Sequence, residues 1–413
     1  MTANPAPSTA ADRLARISTA ISDHESYRDS CIGLVPTENR MSPRARAAMN
    51  SDLAHRYLFQ NPQWRYVGGK HLAVVEETAK ELARELFDAK HVNVRPLSGE
   101  NCTNIVIHAV VPKGGNFYHL AMEDGGHFAA ASVADRLTDN RFLLPFDRER
   151  ATIDVAACAE MFVSHPPDVI YLDASMTTQP HPLQELRALA GDDTVIVYDA
   201  SQTLGLIAGG RFQDPLREGA DILSGSTHKS LPGPQKGMVL TNRDDLIEAV
   251  ERTIFPGHVS NFQVHHVAAL AVTLAETLEF GREYADQIIR NARALAAELR
   301  NLGLAVQTGG GETETHQVWL DVTALATPDE AVERLHDANI IANVNLIPTM
   351  QSKGLRLGVP EVTRLGMTED DMRAIARLMH DALAHVRPIE HVRADATRLA
   401  SAHTEVRYCF PEA

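Results

Sequence analysis

Ser224-Gly225-Ser226-Thr227-His228-Lys229-Ser230-Leu231-Pro232-Gly233-Pro234 sets one lysine just beyond an apolar strand candidate, in a turn rich in Ser, Thr, Gly and Pro. A lysine so placed can form a Schiff base with an aldehyde cofactor, while nearby hydroxyls and backbone N–H groups can hold a phosphate. Upstream, Tyr198-Asp199-Ala200-Ser201 ends a second strand candidate. A carboxylate there can pair with the ring nitrogen of pyridoxal phosphate (PLP) and keep it protonated, so that the ring accepts electrons from a substrate carbanion. Asp124-Gly125-Gly126-His127 offers an imidazole to lie over such a ring, behind glycines that allow close backbone approach. Ser98-Gly99-Glu100-Asn101 forms a strand-to-helix turn whose N–H groups could bind the phosphate. Gly354-Leu355-Arg356-Leu357-Gly358 sets an arginine among small and apolar residues, suited to grip a substrate carboxylate bidentately. Each window alone is weak. Their order (phosphate turn, stacking His, strand-end Asp, Schiff-base Lys, distant Arg) points to a PLP enzyme acting on an α-amino acid.

The surrounding sequence supplies the scaffold. Short β-rich runs alternate with helical ones from about residue 90 to 245, with Asp168–Leu172 and Thr194–Asp199 as the clearest strands. Alternating βα units predict an α/β fold with a mostly parallel sheet. The spacing of Leu72, Val75, Ala79, Leu82 and Leu86 predicts an amphipathic helix. Helices are also expected over 12–27, 267–280, 285–302, 369–385 and 390–402, and strands over 316–322 and 340–346. Residues 1–11 are expected to fray, residues 30–70 to be irregular, and 309–313 to be a loop. The domain reading is an N-terminal arm and helix over 1–30, a large PLP-binding domain over 31–280, and a small α+β domain over 281–413.

The chain has 413 residues, 44% of them hydrophobic and 23% charged, with a formal net charge of -15. The negative charge argues against nucleic-acid or anionic-membrane partners. No apolar run reaches transmembrane length, and the N-terminus lacks the pattern of a secretory signal. The cysteines at 31, 102, 158 and 409 form no close pair, so neither a disulfide framework nor a metal site is expected, and a reducing cytoplasm fits. His258, His265 and His266 show no ordered ligand spacing and read as structural or rim residues.

Over nearly its whole length the chain resembles the serine hydroxymethyltransferase family of PLP fold type I, the aspartate aminotransferase-like fold with a seven-stranded sheet. The resemblance rests on Leu34-Val35-Pro36-Thr37-Glu38-Asn39, Arg65-Tyr66-Val67-Gly68-Gly69, the segment ending at His127, Thr227-His228-Lys229, Phe255-Pro256-Gly257 and Gly354–Gly358. It implies that Lys229 carries the cofactor, Asp199 pairs with the ring nitrogen, His127 stacks on the ring and Arg356 holds the substrate carboxylate, helped by Thr37. It places Ser98, Gly99, Glu100, Ser175, Gln202, Ser226, His228 and Gly257 about the cofactor, and Tyr66 and Phe59 about the substrate. Tyr57 matches a tyrosine that reaches the site from the neighbouring subunit, which implies a homodimer.

The departures narrow the chemistry. A catalytic glutamate of the family is Phe59 here; Tyr66-Val67 stands for a tyrosine pair, Asp124 for a histidine, Gln202 for a histidine and Gln235 for an arginine. The loop before Arg356, which helps bind folate in the family, is shortened. Phenylalanine cannot handle the proton that hydroxymethyl transfer to folate requires. The segments Asp124–Ala129, Gly233–Gly237 and Thr315–Val318 resemble the L-threonine transaldolases of natural-product pathways. Aldol-type cleavage and transfer on a β-hydroxy amino acid is one reading. Another is elimination or decarboxylation of an S-substituted cysteine, as in lincosamide-type antibiotic pathways, which an apolar pocket at Phe59 and Val67 would suit. Folate-dependent hydroxymethyl transfer and a non-enzymatic relative that keeps PLP as structure complete the alternatives. Glu100 is expected to point away from the phosphate or to meet an arginine, and Trp64 to line the mouth of the site or cover a partner subunit.

Overall fold

Runs of aliphatic and β-branched residues build the centre of the molecule. The structure is a computed structural model describing residues 9–58 and 68–412. Seven strands form the main sheet in the order His91–Asn93, Gly237–Thr241, Ile222–Ser226, Val195–Asp199, Val169–Leu172, Phe117–His119, Arg141–Leu143. Gly237–Thr241 runs antiparallel to both neighbours, and the other pairings are parallel. Val169–Leu172 and Ile222–Ser226 are buried at every position, because helices cover both faces of such a sheet and the polar alternation is lost. The helix Gly99–Val110 packs on Ile222–Ser226 and Gly237–Thr241. Its first residues lie where the neighbouring parallel strands end, the edge at which open α/β sheets bind ligands.

A second, four-stranded antiparallel sheet follows, ordered Ala305–Gln307, Gln317–Asp321, Ser352–Gly358, Asn343–Ile347. The expected strand over 340–346 is two strands: Ile340–Ile341 pairs with Ile32–Gly33, while Asn343–Ile347 pairs with Ser352–Gly358. The stretch expected to be irregular over 30–70 therefore holds a strand at Ile32–Gly33. It also holds a helix at Pro43–Met49, with Ser42 as N-cap and Pro43 in the first turn, and a 3-10 turn at Asp52–His55. The Ser-Pro pair is a helix-start signal that the expectation passed over.

Two further expectations are corrected. The helices expected over 267–280 and 285–302 are one continuous helix, Val264–Asn301. Gly281 does not break it; it lies against Gly209, where a Cβ would stand 2.5 Å from the Gly281 carbonyl, so two small residues let the elements cross closely. The first helix begins at Ala10, inside the segment expected to fray, because Thr9 and Asp12 form a capping box. The helix Lys70–Phe87 forms as the spacing predicts, with its buried line on Leu72, Glu76, Ala79, Ala83 and Phe87. That line includes Glu76 because Arg95 closes a two-bond ion pair on it at 2.7 and 3.1 Å. No helix among the described residues is long and apolar enough to cross a membrane.

Candidate active site

Lys229 follows the strand Ile222–Ser226 in a loop that Thr227 closes. Thr227 donates its N–H to the Lys236 carbonyl at 3.0 Å and its hydroxyl to the Pro234 carbonyl at 2.7 Å, and accepts from the Gly233 N–H at 2.9 Å. Asn39 pins the loop from the other side, donating from Nδ2 to the Lys229 carbonyl at 2.7 Å and to Tyr284 Oη at 2.9 Å. With its backbone fixed, the Lys229 amine enters a cavity of about 210 Å³. Burial lowers its pKa to about 8; Asp199 opposes that shift and Arg356 adds to it.

Asp199 ends the neighbouring strand and lines the same cavity. Its carboxylate accepts from the Ser201 N–H at 2.9 Å and the Thr103 hydroxyl at 3.5 Å. Ser201 Oγ in turn accepts from the Ser226 N–H at 2.9 Å, which ties the two strand ends together. His127 stands at the N-cap of the helix Phe128–Ala134, where its Nδ1 accepts from the Ala129 N–H at 3.3 Å. Burial holds its pKa below the ordinary histidine range, so the ring is neutral near pH 7, with Nδ1 as acceptor and the proton on Nε2. His228, pushed down to about 4 by burial and the Lys229 charge, completes the wall.

These groups fit PLP. At one end, the helix Gly99–Val110 presents its first N–H groups, Ser98 caps it by accepting from the Asn101 N–H at 3.0 Å, and Ser226 Oγ is buried without a partner among the described residues. A Cβ on Gly99 would lie 2.8 Å from Ser226 Cβ and close that cradle. Lys229, Asp199 and His127 supply an amine, a carboxylate and a flat neutral ring around the remaining space.

The chain matches the family model for serine hydroxymethyltransferase over residues 11–379. It belongs to the serine hydroxymethyltransferase family. It is 40% identical to the serine hydroxymethyltransferase of Methanocella arvoryzae, over 91% of this chain and 92% of that one. It is also 40% identical to that of Methanopyrus kandleri, over 95% and 94%. Among solved structures it superimposes on the L-threonine transaldolase from Pseudomonas fluorescens in its internal aldimine state, with a TM-score of 0.92 and 31% identity, covering 97% of this chain and 94% of that one. The fold is PLP fold type I, and the chain is a PLP-dependent enzyme acting on an amino acid.

The family member's remaining site residues divide into those the fold brings together and those it does not. Ser98, Gly99, Glu100, Ser175, Gln202, Ser226 and His228 all line the cavity with Lys229. Glu100, exposed in the first turn of its helix, is among the residues that line the cavity. Arg356 lies on Ser352–Gly358, only 7% exposed, so it is no surface residue. It donates from Nη1 to the Ser175 carbonyl at 3.3 Å and from Nη2 to the Asn343 side-chain oxygen at 3.1 Å; among the described residues its buried Nε has no partner and no carboxylate pairs with it. Thr37 lines a separate, adjoining cleft of about 1020 Å³ that also touches Asn39 and His228. Gly257, in the turn Thr253–His258, and Tyr57, 60% exposed, lie outside the cavity lining. Phe59, Tyr66, Val67 and Trp64 lie outside the described residues.

Sequence reasoning missed four contributors. Asp173, Ser201 and Thr103 line the cavity, and Gln317 reaches it from the second sheet. Gln317 donates from Nε2 to the Ser175 carbonyl at 3.0 Å and to Gln202 Oε1 at 3.3 Å, and accepts from Trp319 Nε1 at 3.0 Å. Arg356 and Gln317 thus meet on one carbonyl, that of Ser175. Asp173 carried a signal, since it directly follows the strand candidate Asp168–Leu172; Gln317 lay in the segment Thr315–Val318 marked by resemblance, but its role was hidden because its partners are far away in sequence.

Proposed function

We propose that this enzyme breaks the Cα–Cβ bond of a β-hydroxy-α-amino acid, of which L-threonine is the simplest candidate, and passes the glycine unit to an acceptor aldehyde. The observation that carries the reading is the state of His127. Its Nδ1 is taken by the Ala129 N–H, so the neutral ring presents an Nε2–H donor, the group needed to polarise an aldehyde oxygen. In the cleavage direction the β-hydroxyl gives its proton to the Lys229 amine, the Cα–Cβ bond breaks, the hydroxyl oxygen leaves as the carbonyl of acetaldehyde, and the electron pair remains on Cα. Bound PLP supplies the electron sink for that pair. Lys229 Nζ, with its pKa brought to about 8, can hold or release a proton near neutrality, and Arg356, buried without a counter-ion among the described residues, orients the substrate carboxylate. Asp199 is read as the partner of the ring nitrogen. Phe59 in place of an acidic residue supports a fate other than transfer to folate, in a biosynthetic role outside one-carbon metabolism. The likeness to a threonine transaldolase supports the same choice.

A second reading, folate-dependent hydroxymethyl transfer from serine, is favoured by the 40% identity to serine hydroxymethyltransferases. We read the working unit as a homodimer. Tyr57, exposed and outside the cavity of its own chain, and the exposed Leu14, Ile17 and Ile21 along the first helix support this, and light scattering tests it.

The deciding experiment measures acetaldehyde from L-threonine with the PLP-loaded protein and a Lys229→Ala control, then repeats it with an added aldehyde. Lys229-dependent release that an acceptor accelerates supports transfer. Formation of glycine from serine only when tetrahydrofolate is present would replace this reading with the second. A spectral change on adding amino acid without acetaldehyde would sink the aldol step and turn attention to an S-substituted cysteine.

A further inference from the structure

Two carboxyl groups, not one, stand at the end of the sheet inside the cavity. Leu172 pairs with Tyr198, so the residues that follow them in register, Asp173 and Asp199, lie side by side at the ends of adjacent parallel strands, and both line the cavity. Asp173 is 4% exposed. Its Oδ2 accepts from the His127 N–H at 3.3 Å, and its Oδ1 is buried without a partner among the described residues. No cation pairs with it there, although buried carboxylates ordinarily have one.

We propose that Asp173 is a positioning residue that works as a neutral carboxylic acid: it holds the main chain of His127, and so the plane of the imidazole, without placing a second negative charge beside Asp199. The proposal rests on reading His127 as the ring that packs against the cofactor. Burial, and then the charge of Asp199, push the Asp173 carboxyl well above the usual carboxylate range. The other groups facing it agree. Tyr171, two residues earlier on its own strand, is itself held protonated by burial, and the His127 ring on the opposite segment is neutral. Backbone N–H groups from His127, Leu120 and Asp173 itself oppose the shift without reversing it. A carboxylic acid has one oxygen to accept the His127 N–H and one O–H to donate. The buried Oδ1 is the atom left for that proton, available to a group bound in the cavity. The division of labour follows: Asp199, held by Ser201 and Thr103, carries the charge, and Asp173 supplies the geometry.

The test uses the PLP-loaded enzyme and the variants D173N, D173A and H127A. Three quantities are read: the visible circular dichroism of the bound cofactor, the pH midpoint of its absorbance, and kcat against KM for amino acid. Asparagine mimics a neutral acid, so D173N is expected to keep the dichroism and the midpoint of the native enzyme. D173A is expected to lose about half or more of the dichroic band and roughly tenfold in kcat, with KM changed much less. A D173N midpoint displaced by about one pH unit would show a carboxylate at 173 and overturn the neutral-acid assignment. Full dichroism in D173A would overturn the positioning role. H127A separates the two readings: if it leaves the band intact, the packing of His127 on the cofactor is what fails. If D173A does not fold, as its thermal transition would reveal, the D173N midpoint still decides the protonation state.

Discussion

Arg356 is a buried cation waiting for a partner, and its replacement by methionine separates substrate binding from stability. The guanidinium donates from Nη1 to the Ser175 carbonyl at 3.3 Å and from Nη2 to the Asn343 side-chain oxygen at 3.1 Å, with no counter-ion among the described residues, and burial takes its pKa down to about 10. A depression of that size corresponds to roughly 3 kcal/mol against the charged form in the free enzyme. A substrate carboxylate accepting two N–H bonds recovers this, so Arg356→Met is expected to weaken amino-acid binding by about 2–5 kcal/mol, roughly 300-fold in Kd at the centre of that range. The free protein should not suffer. Losing the Ser175 and Asn343 bonds costs roughly 2–3 kcal/mol, while removing a buried charge without a counter-ion returns about as much or more. The thermal midpoint without substrate is therefore expected to stay level or rise by a few degrees. The assay is a spectral titration of bound PLP with L-threonine and with 1-amino-2-propanol, the same molecule without its carboxylate. Native enzyme should prefer threonine strongly; R356M should bind the two alike. Retained preference in R356M, or a thermal midpoint several degrees lower, would refute the argument, the second result by revealing a structural partner for Arg356.

Lys229 should give capture of PLP by the apoprotein a pH dependence centred near 8, rising about tenfold per unit below it and levelling above, measured by stopped-flow absorbance. The sign for stability follows. The folded amine holds its proton less tightly than the unfolded one, so between about 8 and the ordinary lysine range the apoprotein becomes more stable as pH rises, which denaturant midpoints across that window check. Gln317→Leu leaves Trp319 Nε1 and Gln202 Oε1 buried without their bonds and should cost about 1–3 kcal/mol in urea unfolding. Gly99→Ala drives a methyl group to 2.8 Å from Ser226 Cβ in the proposed phosphate cradle and should weaken PLP affinity at least tenfold by equilibrium dialysis, with the fold intact by far-UV dichroism.

Local chemistry explains what could be read without the fold. Lys229, Asp199, His127 and the turn at Ser98 each sit where a strand gives way to a turn, and the order of those turns along the chain follows from the βα repeat, so the main sheet and four corners of the cavity were legible. Helix starts without an apolar run, such as Ser42-Pro43, and a helix that crosses a glycine at 281 were not, because packing against distant residues decides them.

By itself the sequence determined the chemistry available: an amine, a carboxylate, an imidazole and a guanidinium, on a chain whose apolar periodicity dictates an α/β sheet with a second sheet after it. Only the tertiary structure decided which groups share a dielectric. It set Asp173 beside Asp199 and drew Gln317 and Arg356 onto one carbonyl. It also buried Lys229, His127 and Arg356 far enough to shift their proton affinities. The physical reason is that desolvation and hydrogen bonding act through space over a few ångströms, whereas sequence records only separation along the chain.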